Sequence, residues 1–348
     1  MSHALTTAQK VRAFRSIDQF GIENLKLVEA EPEQISYGKV RVKMHAASLN
    51  FRDLMVAKGL YNPKWKTPLG IIPLSDGAGE VVEVGEGVDR FKIGDRVMAS
   101  FMPDWVAGEV TEQKAKTSLG GAVDGVLTTA RLFDQQGLVP IPAHLNYEEA
   151  ATLPCAAVTA WNGLFVSDWV KPGETVLLLG TGGVSIFALQ FARMAGATTI
   201  ITSSSDEKLE RAKKLGADHL INYKNQPDWE KKVLELTGGR GVDHVVEVGG
   251  NGTLAKSIRA VRIGGHIALI GVLAGGEGMD TRPLLMKNIR LHGIFVGSRE
   301  MFEQMNKAIV SAKLHPIIDR TFAFEDTIKA FSHLESGSHF GKVVIKIA

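Results

Sequence analysis

The chain has 348 residues, of which 45% are hydrophobic and 22% are charged, and its formal net charge is +2. This length exceeds one typical hydrophobic core and predicts two domains. The small net charge disfavours nucleic acid and anionic membranes as partners, and no apolar run is long enough to span a bilayer. The N-terminal residues lack the apolar segment of a secretory signal. The single cysteine, Cys155, excludes an intrachain disulfide and favours a reducing compartment, so we expect a cytoplasmic protein.

The segment 1–140 is predicted to form a β-rich domain, because short valine-rich runs alternate with turn signals. The predicted strands are Val11–Phe14, Lys39–Ala46, Gly79–Val84 and Arg96–Ala99. The segment Trp105–Gly125 breaks this pattern. We expect a long surface excursion or lid there, with a helix over Thr111–Thr117.

From residue 141 the pattern changes to strands that alternate with helices. The predicted strands are Thr175–Leu179, Thr198–Thr202, His219–Ile221, Asp243–Val248, Gly265–Ile270 and Ile289–Ile294, and the intervening helices include Val184–Ala195 and Asp206–Leu215. This alternation predicts a parallel sheet with helices on both faces over 141–299. The terminal run Lys342–Ile347 is a further strand, which we expect to return to the sheet of the first domain.

A glycine-rich turn joins the first strand of this sheet to the following helix. In that context the pattern is typical of a dinucleotide site, since glycine allows a tight turn and lets the backbone approach a pyrophosphate at the helix N-terminus. Ser185 stands where the motif prefers a third glycine or alanine. The residues expected to bind the cofactor at this turn are Gly180, Thr181, Gly182, Gly183 and Val184.

The end of the second strand indicates which dinucleotide binds. A site that prefers NAD usually places a carboxylate there for the ribose 2′-hydroxyl, whereas this chain places serines, with Lys208 close behind. Hydroxyl and ammonium groups donate to a 2′-phosphate that a carboxylate would repel, so we predict NADPH. The serines are Ser203, Ser204 and Ser205.

Ordered motifs along essentially the whole chain are similar to those of a known family. They are Asn50–Asp53, Pro73–Val81, Gly94–Val97, Ala150–Pro154, Thr159–Trp161, the glycine turn, Lys214–Asp218, Gly241–Asp243 and Gly341–Val344. The chain resembles the medium-chain dehydrogenase/reductase superfamily, and within it the zinc-free, NADPH:quinone oxidoreductase-like branch. The resemblance implies an α/β fold, in which a Rossmann doubly wound parallel sheet (141–299) is inserted into a GroES-like β-barrel catalytic domain (1–140, completed by 300–348). It also implies an active site in the cleft between them and a homodimer whose Rossmann sheets join edge to edge through Ile289–Phe295.

The resemblance also locates the zinc-ligand positions of the metal-dependent members, which use a cysteine, a His–Glu pair and a second cysteine. This chain has Asn50, Ser75–Asp76 and Cys155 there, which is not a usual zinc set, so we expect no metal. The histidines form no clustered sequence motif, and His244 and His266 are expected to be satisfied strand residues.

The resemblance implies Asn50 and Tyr61 as catalytic residues. Asn50 would hydrogen-bond either the nicotinamide ribose or the substrate carbonyl, and Tyr61 is alternatively a surface aromatic. Asp53 with Arg52 is interpreted as a structural pair. The further cofactor contacts that the resemblance implies are Thr159, Tyr223, Gly271, Val272, Leu273, Phe295, Val296 and Lys342, the last of which is alternatively a surface lysine.

Without a metal, alcohol oxidation needs another group to stabilise the alkoxide, whereas reduction of a polarised double bond needs only one or two hydrogen-bond donors. The sequence therefore predicts transfer of a hydride from NADPH to a small-molecule acceptor, either a polarised C=C bond or a quinone. The alternatives are a zinc-free alcohol dehydrogenase and a dinucleotide-binding protein with little turnover.

Overall fold

The computed structural model describes residues 10–61, 70–271 and 281–348, which form two compact units. The first unit contains residues 1–155 and 297–348, and the second contains residues 156–296. The segment 141–155 belongs to the first unit, although the sequence pattern had assigned it to the second domain. The reason is local packing: Ile141 N–H donates to Arg96 O at 2.9 Å, and the Tyr147 ring stacks on His45 with centroids 4.2 Å apart.

The first unit begins with a β-rich segment. Its elements are β1 (Val11–Ser16), β2 (Leu25–Ala30), β3 (Lys39–Leu49), α1 (Phe51–Ala57), β4 (Asp76–Val84), β5 (Arg96–Ala99), α2 (Glu112–Ala115), β6 (Ala130–Asp134), β7 (Leu138–Pro140) and α3 (Tyr147–Ala150). Strands β1 and β2 form an antiparallel hairpin. The predicted strands of this segment are all present, with bounds that differ by a few residues.

The second unit alternates strands with helices, as predicted. Its elements are α4 (Val158–Trp161), β8 (Thr175–Leu178), α5 (Gly183–Met194), β9 (Thr198–Ser203), α6 (Asp206–Lys214), β10 (His219–Asn222), α7 (Trp229–Leu236), β11 (Val242–Glu247), α8 (Asn251–Ala260), β12 (Val261–Leu269), α9 (Arg282–Met286) and β13 (Arg290–Gly293). The sheet order is β10-β9-β8-β11-β12-β13, and the paired strands are parallel. Because the order reverses beside β8, the glycine turn after β8 lies at the topological switch point, where ligands bind such sheets.

The chain then returns to the first unit. Its last elements are α10 (Arg299–Ala312), β14 (Ile318–Ala323), α11 (Thr327–Glu335) and β15 (Lys342–Lys346). Strand β15 pairs antiparallel with the second half of β3, which confirms that the terminal strand joins the sheet of the first unit. Strand β3 also pairs with β4 and β6, and the sheet runs in the order β14-β15-β3-β4-β5-β7. Within the described ranges, no helix is long and apolar enough to cross a bilayer.

The segment Trp105–Gly125 is a surface excursion over residues 107–113, which are all exposed, while both of its ends pack into the first unit. Trp105 is 4% exposed and Leu119 is 1% exposed, and the helix is the single turn α2. The backbone at Gly125 lies against the neighbouring loop so closely that an added Cβ would be 2.1 Å from Leu74 O. Burial of a tryptophan and a leucine fixes this segment more firmly than its mixed sequence indicated.

Candidate active site

The glycine turn of the second unit connects β8 to α5 at the carboxyl edge of the sheet. Gly180 has φ of 73°, a conformation that favours glycine, and its N–H donates to Thr202 Oγ1 at 3.2 Å. Gly182 is the N-terminal cap of α5, and no described side chain caps that end of the helix. The first N–H groups of α5, from Gly183 and Val184, are therefore free of capping side chains, as a phosphate site requires.

Ser185 has a structural reason for replacing the third small residue of the motif. Its side chain is 1% exposed, and its hydroxyl donates to the carbonyl of Leu179 at 2.6 Å. Leu179 lies between β8 and the tight turn, where its carbonyl has left the strand ladder. The hydroxyl thus satisfies a buried acceptor at the turn, which glycine or alanine could not do.

The three serines after the second strand occupy different environments. Ser203 ends β9 and is 2% exposed, while Ser205 caps α6 by accepting from the Lys208 N–H at 3.3 Å. Ser204 is half-buried and follows the strand directly. Tyr223 is 40% exposed, and its N–H donates to Ser203 O at 3.0 Å, so it lies at the same corner. The structure therefore brings these predicted residues together around Ser204.

A buried glutamate that the sequence analysis missed organises the loop after β11. Glu247 is 0% exposed, and its Oε1 accepts from Gly249 N–H at 2.8 Å and Gly250 N–H at 3.0 Å. It also accepts from the hydroxyls of Thr253, at 2.6 Å, and Ser257. The sequence signal was a charged residue at the end of β11, followed after Val248 by two glycines.

The remaining predicted cofactor contacts are also in the second unit, except Lys342, which lies in the first. Gly271 donates to Glu247 O at 3.0 Å, and a Cβ there would lie 1.5 Å from the Val248 carbonyl oxygen, so the position requires glycine. Val296 has φ of 56°, and its carbonyl accepts from Asn162 Nδ2 at 2.8 Å. Thr159 is buried in α4 and Phe295 is partly exposed, whereas Val272 and Leu273 lie outside the described residues.

A second set of polar side chains is buried in the first unit, at one end of its sheet. Asn50 follows β3, Asp76 begins β4 and Lys342 begins β15. Strands β4 and β15 both pair antiparallel with β3, with Ser48 opposite Asp76 and Leu49 opposite Val343. This register brings the three side chains to the same edge, although Lys342 is about three hundred positions from the others in sequence.

Lys342 is the centre of this cluster. It is 3% exposed, and its ammonium donates to Leu49 O and to Asn50 Oδ1, both at 2.6 Å. Asp76 Oδ2 lies 3.7 Å from the same nitrogen. Burial raises the pKa of the Asp76 carboxyl, while Lys342 acts in the opposite direction and favours the carboxylate.

Because the Asn50 amide oxygen accepts from an ammonium, its orientation is fixed. Asn50 Nδ2 is then a buried donor that makes no hydrogen bond of ordinary length to a described residue, although the Asn50 side chain lies close enough to Asp76 to lower the pKa of that carboxyl. Arg52 Nε is a second buried donor without a partner there. Most buried donors in native proteins are paired, so Asn50 Nδ2 is one indication of a ligand contact in the first unit.

Tyr61 and the Arg52–Asp53 pair lie close to this centre. Asp53 is 0% exposed, accepts from the Asn50 N–H at 2.7 Å and pairs with the Arg52 guanidinium at 3.2 Å. The Arg52 guanidinium lies over the Tyr61 ring, 4.4 Å from its centroid. Tyr61 is thus packed on a buried cation rather than isolated on the surface, and burial raises the pKa of Asp53 to about 6.

Cys155 belongs to the same cluster through its backbone. Its N–H donates to Asp76 Oδ2 at 3.3 Å, and the Ser75 hydroxyl donates to Asp76 Oδ1 at 2.7 Å. Burial, with a further contribution from Asp76, raises the pKa of the Cys155 thiol well above its usual range. The thiol is therefore protonated at neutral pH.

Comparisons with known proteins agree over nearly the whole chain. Residues 36–143 match the family described as alcohol dehydrogenase GroES-like domain, and residues 183–311 match the family described as zinc-binding dehydrogenase. A zinc-type alcohol dehydrogenase-like protein of Schizosaccharomyces pombe is 47% identical over 94% of this chain and 96% of its own length.

Solved structures share the fold. An NAD-dependent alcohol dehydrogenase is 33% identical, with a TM-score of 0.88 over 97% of this chain and 100% of its own. A quinone oxidoreductase of Pseudomonas syringae pv. Tomato DC3000 is 27% identical, with a TM-score of 0.82 over the same shares of the two chains. These matches confirm the GroES-like and Rossmann folds and the predicted family.

Dehydrogenases and reductases of this kind bind a nicotinamide dinucleotide and act on small molecules. The glycine turn of the second unit has the sequence and backbone geometry of such a dinucleotide site. The chain therefore belongs to the medium-chain dehydrogenase/reductase superfamily of oxidoreductases.

Proposed function

We propose that this protein uses NADPH to reduce a polarised carbon–carbon double bond or a quinone, without a metal ion in the reaction. The observation that carries the proposal is the unpartnered Asn50 Nδ2, a buried donor whose direction is fixed by Lys342. A donor held in place before the reaction stabilises an oxygen on which negative charge develops, at no cost in reorganisation.

The residues at the predicted zinc-ligand positions do not fit a zinc ion. A catalytic zinc normally has three protein ligands drawn from thiolates, imidazoles and carboxylates. Here Asn50 and Asp76 face the ammonium of Lys342, at 2.6 and 3.7 Å, and Cys155 is held as a thiol. A fixed cation from the chain lies among these groups, so zinc would meet charge repulsion and only one ready ligand. This arrangement supports a metal-free reaction.

Each polar residue then has a defined task. When bound, a reduced nicotinamide supplies a hydride to the β-carbon of the acceptor. Asn50 Nδ2 donates to the acceptor oxygen as it becomes negative, and solvent returns a proton to complete the reduction. Lys342 holds the Asn50 amide and Asp76 neutralises Lys342, so both are positioning residues. Tyr61, packed on Arg52, lines the acceptor site in this proposal.

The preference for NADPH is carried by Ser204. Ser203 is buried and Ser205 is used as a helix cap, so Ser204 is the serine best placed to meet a 2′-phosphate, with Tyr223 beside it. The variant Ser204→Asp places a carboxylate there and should shift the ratio of kcat/KM values at least tenfold, that is by about 1.4 kcal/mol, toward NADH. Ser204→Ala is the neutral control, and a wild-type preference for NADH would refute the proposal.

The test of the reaction uses Asn50→Asp, which keeps an oxygen for Lys342 but cannot donate. With a panel of enones, enals and quinones, kcat should fall about 100-fold or more while NADPH affinity is unchanged. Asn225→Asp, at an exposed position, controls for added charge. Activity that survives a chelator supports the metal-free step, whereas activity lost to a chelator and restored by zinc contradicts it.

A second candidate is a zinc-free alcohol dehydrogenase: the relative of 47% identity is named a zinc-type alcohol dehydrogenase-like protein, which favours an alcohol as substrate but does not favour a reaction without zinc. Reduction of NADP by an alcohol, with no turnover of enones or quinones, would support it. Retained NADPH binding with no turnover of any of these substrates would instead support a dinucleotide-binding protein.

We also propose a homodimer formed through β13, which ends the six-stranded sheet. Two large apolar side chains of the preceding helix, Leu285 and Met286, are 81% and 79% exposed, as expected of surface that a second copy covers. Light scattering should give twice the chain mass, and Leu285→Glu with Met286→Glu should reduce it to one chain. The lone free thiol, Cys155, supports a cytoplasmic location.

A further inference from the structure

Two histidines and an aspartate meet in the second unit near the starts of β11 and β12. His244 and His266 are opposite each other in the parallel register, and Asp168 lies in the turn before β8. Their ligand atoms are all within 4.8 Å of one another. This is the strand-start side of the sheet, opposite the glycine turn, so the cluster is distinct from the dinucleotide site.

The hydrogen bonds of His244 leave one ring nitrogen as an acceptor. Its Nε2 lies 2.8 Å from Glu174 Oε2, which can only accept, so Nε2 carries the proton. In the neutral ring Nδ1 then carries a lone pair, and this nitrogen lies 3.7 Å from Asp168 Oδ2. The same Asp168 oxygen pairs with Arg290 at 2.7 Å, so the acceptor that still lacks a partner among the described residues is His244 Nδ1. A histidine whose second nitrogen donates to a carboxylate is a frequent arrangement at metal sites.

His266 lacks more hydrogen-bond partners than His244 does. It is 1% exposed, and neither ring nitrogen has a hydrogen-bond partner among the residues that the structure describes. The expectation that it is a satisfied strand histidine is therefore wrong.

The charged side chains around this cluster bear on whether a divalent cation can bind there. Asp168 and Glu174 are anionic, and Arg290, on the neighbouring strand β13, pairs with Asp168 at 2.7 Å. His292, also on β13, faces His266 with ring centroids 6.3 Å apart. The guanidinium is bidentate, because Arg290 Nη1 donates to Asp168 Oδ1 at 3.1 Å and Nη2 pairs with Oδ2 at 2.7 Å. Arg240 also interacts electrostatically with Glu174. A metal therefore has to displace the guanidinium from one oxygen of Asp168.

We propose that Asp168, His244 and His266 bind one Zn²⁺ ion, with Glu174 orienting His244. Two imidazoles and a carboxylate are a ligand set that suits zinc and does not suit Mg²⁺ or Ca²⁺. The ligand atoms must approach one another to reach zinc–ligand bonds of about 2.0–2.1 Å, which side-chain rotation of Asp168 allows because it is partly exposed. The ion ties the turn before β8 to β11 and β12, and its role is structural.

A rival explanation places a second proton on His244, between Asp168 and Glu174. It accounts for His244 alone, because His266 still has two unpartnered nitrogens. The two explanations differ in a measurable way, since only the first predicts binding of metal.

The experiment uses the full-length protein without an affinity tag, stripped of metal by a chelator, and titrated with Zn²⁺ against a chromophoric chelator. The wild type should bind one Zn²⁺ per chain and unfold at a higher temperature when loaded, with no response to Mg²⁺. Asp168→Asn and His266→Gln should lose this binding, and Glu174→Gln should weaken it about 10–100-fold. His292→Gln is the matched control and should bind like the wild type.

One further variant and one spectroscopic measurement make the assignment specific. Cys155→Ser should leave the zinc stoichiometry unchanged, and the Co²⁺-loaded protein should show no thiolate charge-transfer band. If His266→Gln fails to fold, Asp168→Asn and Glu174→Gln test the same site from partly exposed positions. No zinc binding by the wild type, wild-type affinity in Asp168→Asn, or loss of binding in Cys155→Ser would each overturn the proposal.

Discussion

Replacing Asp53 by asparagine is expected to remove a large pH dependence from the stability of the first unit. Asp53 is 0% exposed, and burial raises the pKa of its carboxyl from 3.8 to about 6, against the opposing effect of Arg52. The folded state therefore holds this proton more tightly than the unfolded chain. The resulting stability is fully present below the unfolded-state pKa and is lost as the pH rises through the folded-state pKa. At about 1.4 kcal/mol per pKa unit, the loss between about pH 3 and pH 8 is about 3 kcal/mol.

The assay must report on the first unit, because a chain of two units need not unfold in one step. Urea-dependent hydrogen exchange of the β3 and β4 amides provides that signal. The asparagine side chain keeps an oxygen for the Asn50 N–H, so the local geometry is retained. The free energy of unfolding of wild type minus Asp53→Asn should fall by about 3 kcal/mol over this pH range, while the exposed control Asp104→Asn follows the wild type. If the free energy of unfolding had the same pH profile in wild type and Asp53→Asn, burial would not be the main influence on the pKa of the Asp53 carboxyl.

Three further outcomes are expected. Ser185→Ala leaves the buried Leu179 carbonyl without its donor and should destabilise α5 by about 1–3 kcal/mol, measured by urea-dependent hydrogen exchange of that helix; no change would mean that water replaces the hydroxyl. Glu247→Gln removes a charge that four groups donate to, and should cost about 3 kcal/mol and weaken NADPH binding by fluorescence titration, so unchanged affinity would contradict its role in shaping the loop. The Cys155 thiol, whose pKa is raised by burial, should react with iodoacetamide about 100-fold more slowly in the folded than in the urea-unfolded protein, and equal rates by mass spectrometry would refute this.

The sequence pattern was sufficient for the fold because each element depends on local or periodic signals. The apolar run of β8 and the glycines after it predict a buried parallel strand and a tight turn without knowledge of any distant residue. The same holds for β15, whose short β-branched run between two lysines marks it as a strand. The segment Trp105–Gly125 followed its sequence pattern only in part, because residues 107–113 are exposed whereas burial of Trp105 and Leu119 fixes its ends.

Site residues were predictable to the extent that their role depends on the backbone. Gly180 and Gly182 were found because a tight turn requires glycine. Lys342 was identified by resemblance alone, and its contact with Asn50 follows from a strand pairing that no local pattern contains. Glu247 was missed for a related reason, since four donors converge on it only after α8 has packed beside β11.

The two polar centres of this chain follow the same electrostatic rule with opposite outcomes. A buried carboxylate is stable only if a cation or several donors compensate for its lost hydration. In the first unit the chain supplies that cation, because Lys342 reaches Asp76 and Asn50 and leaves one donor, Asn50 Nδ2, for a ligand. In the second unit Arg290 compensates Asp168, but His244 and His266 present acceptors that no described donor meets. The centre of the first unit thus has a donor without an acceptor, which suits an oxyanion. The centre of the second unit has acceptors without a cation, which suits a metal ion.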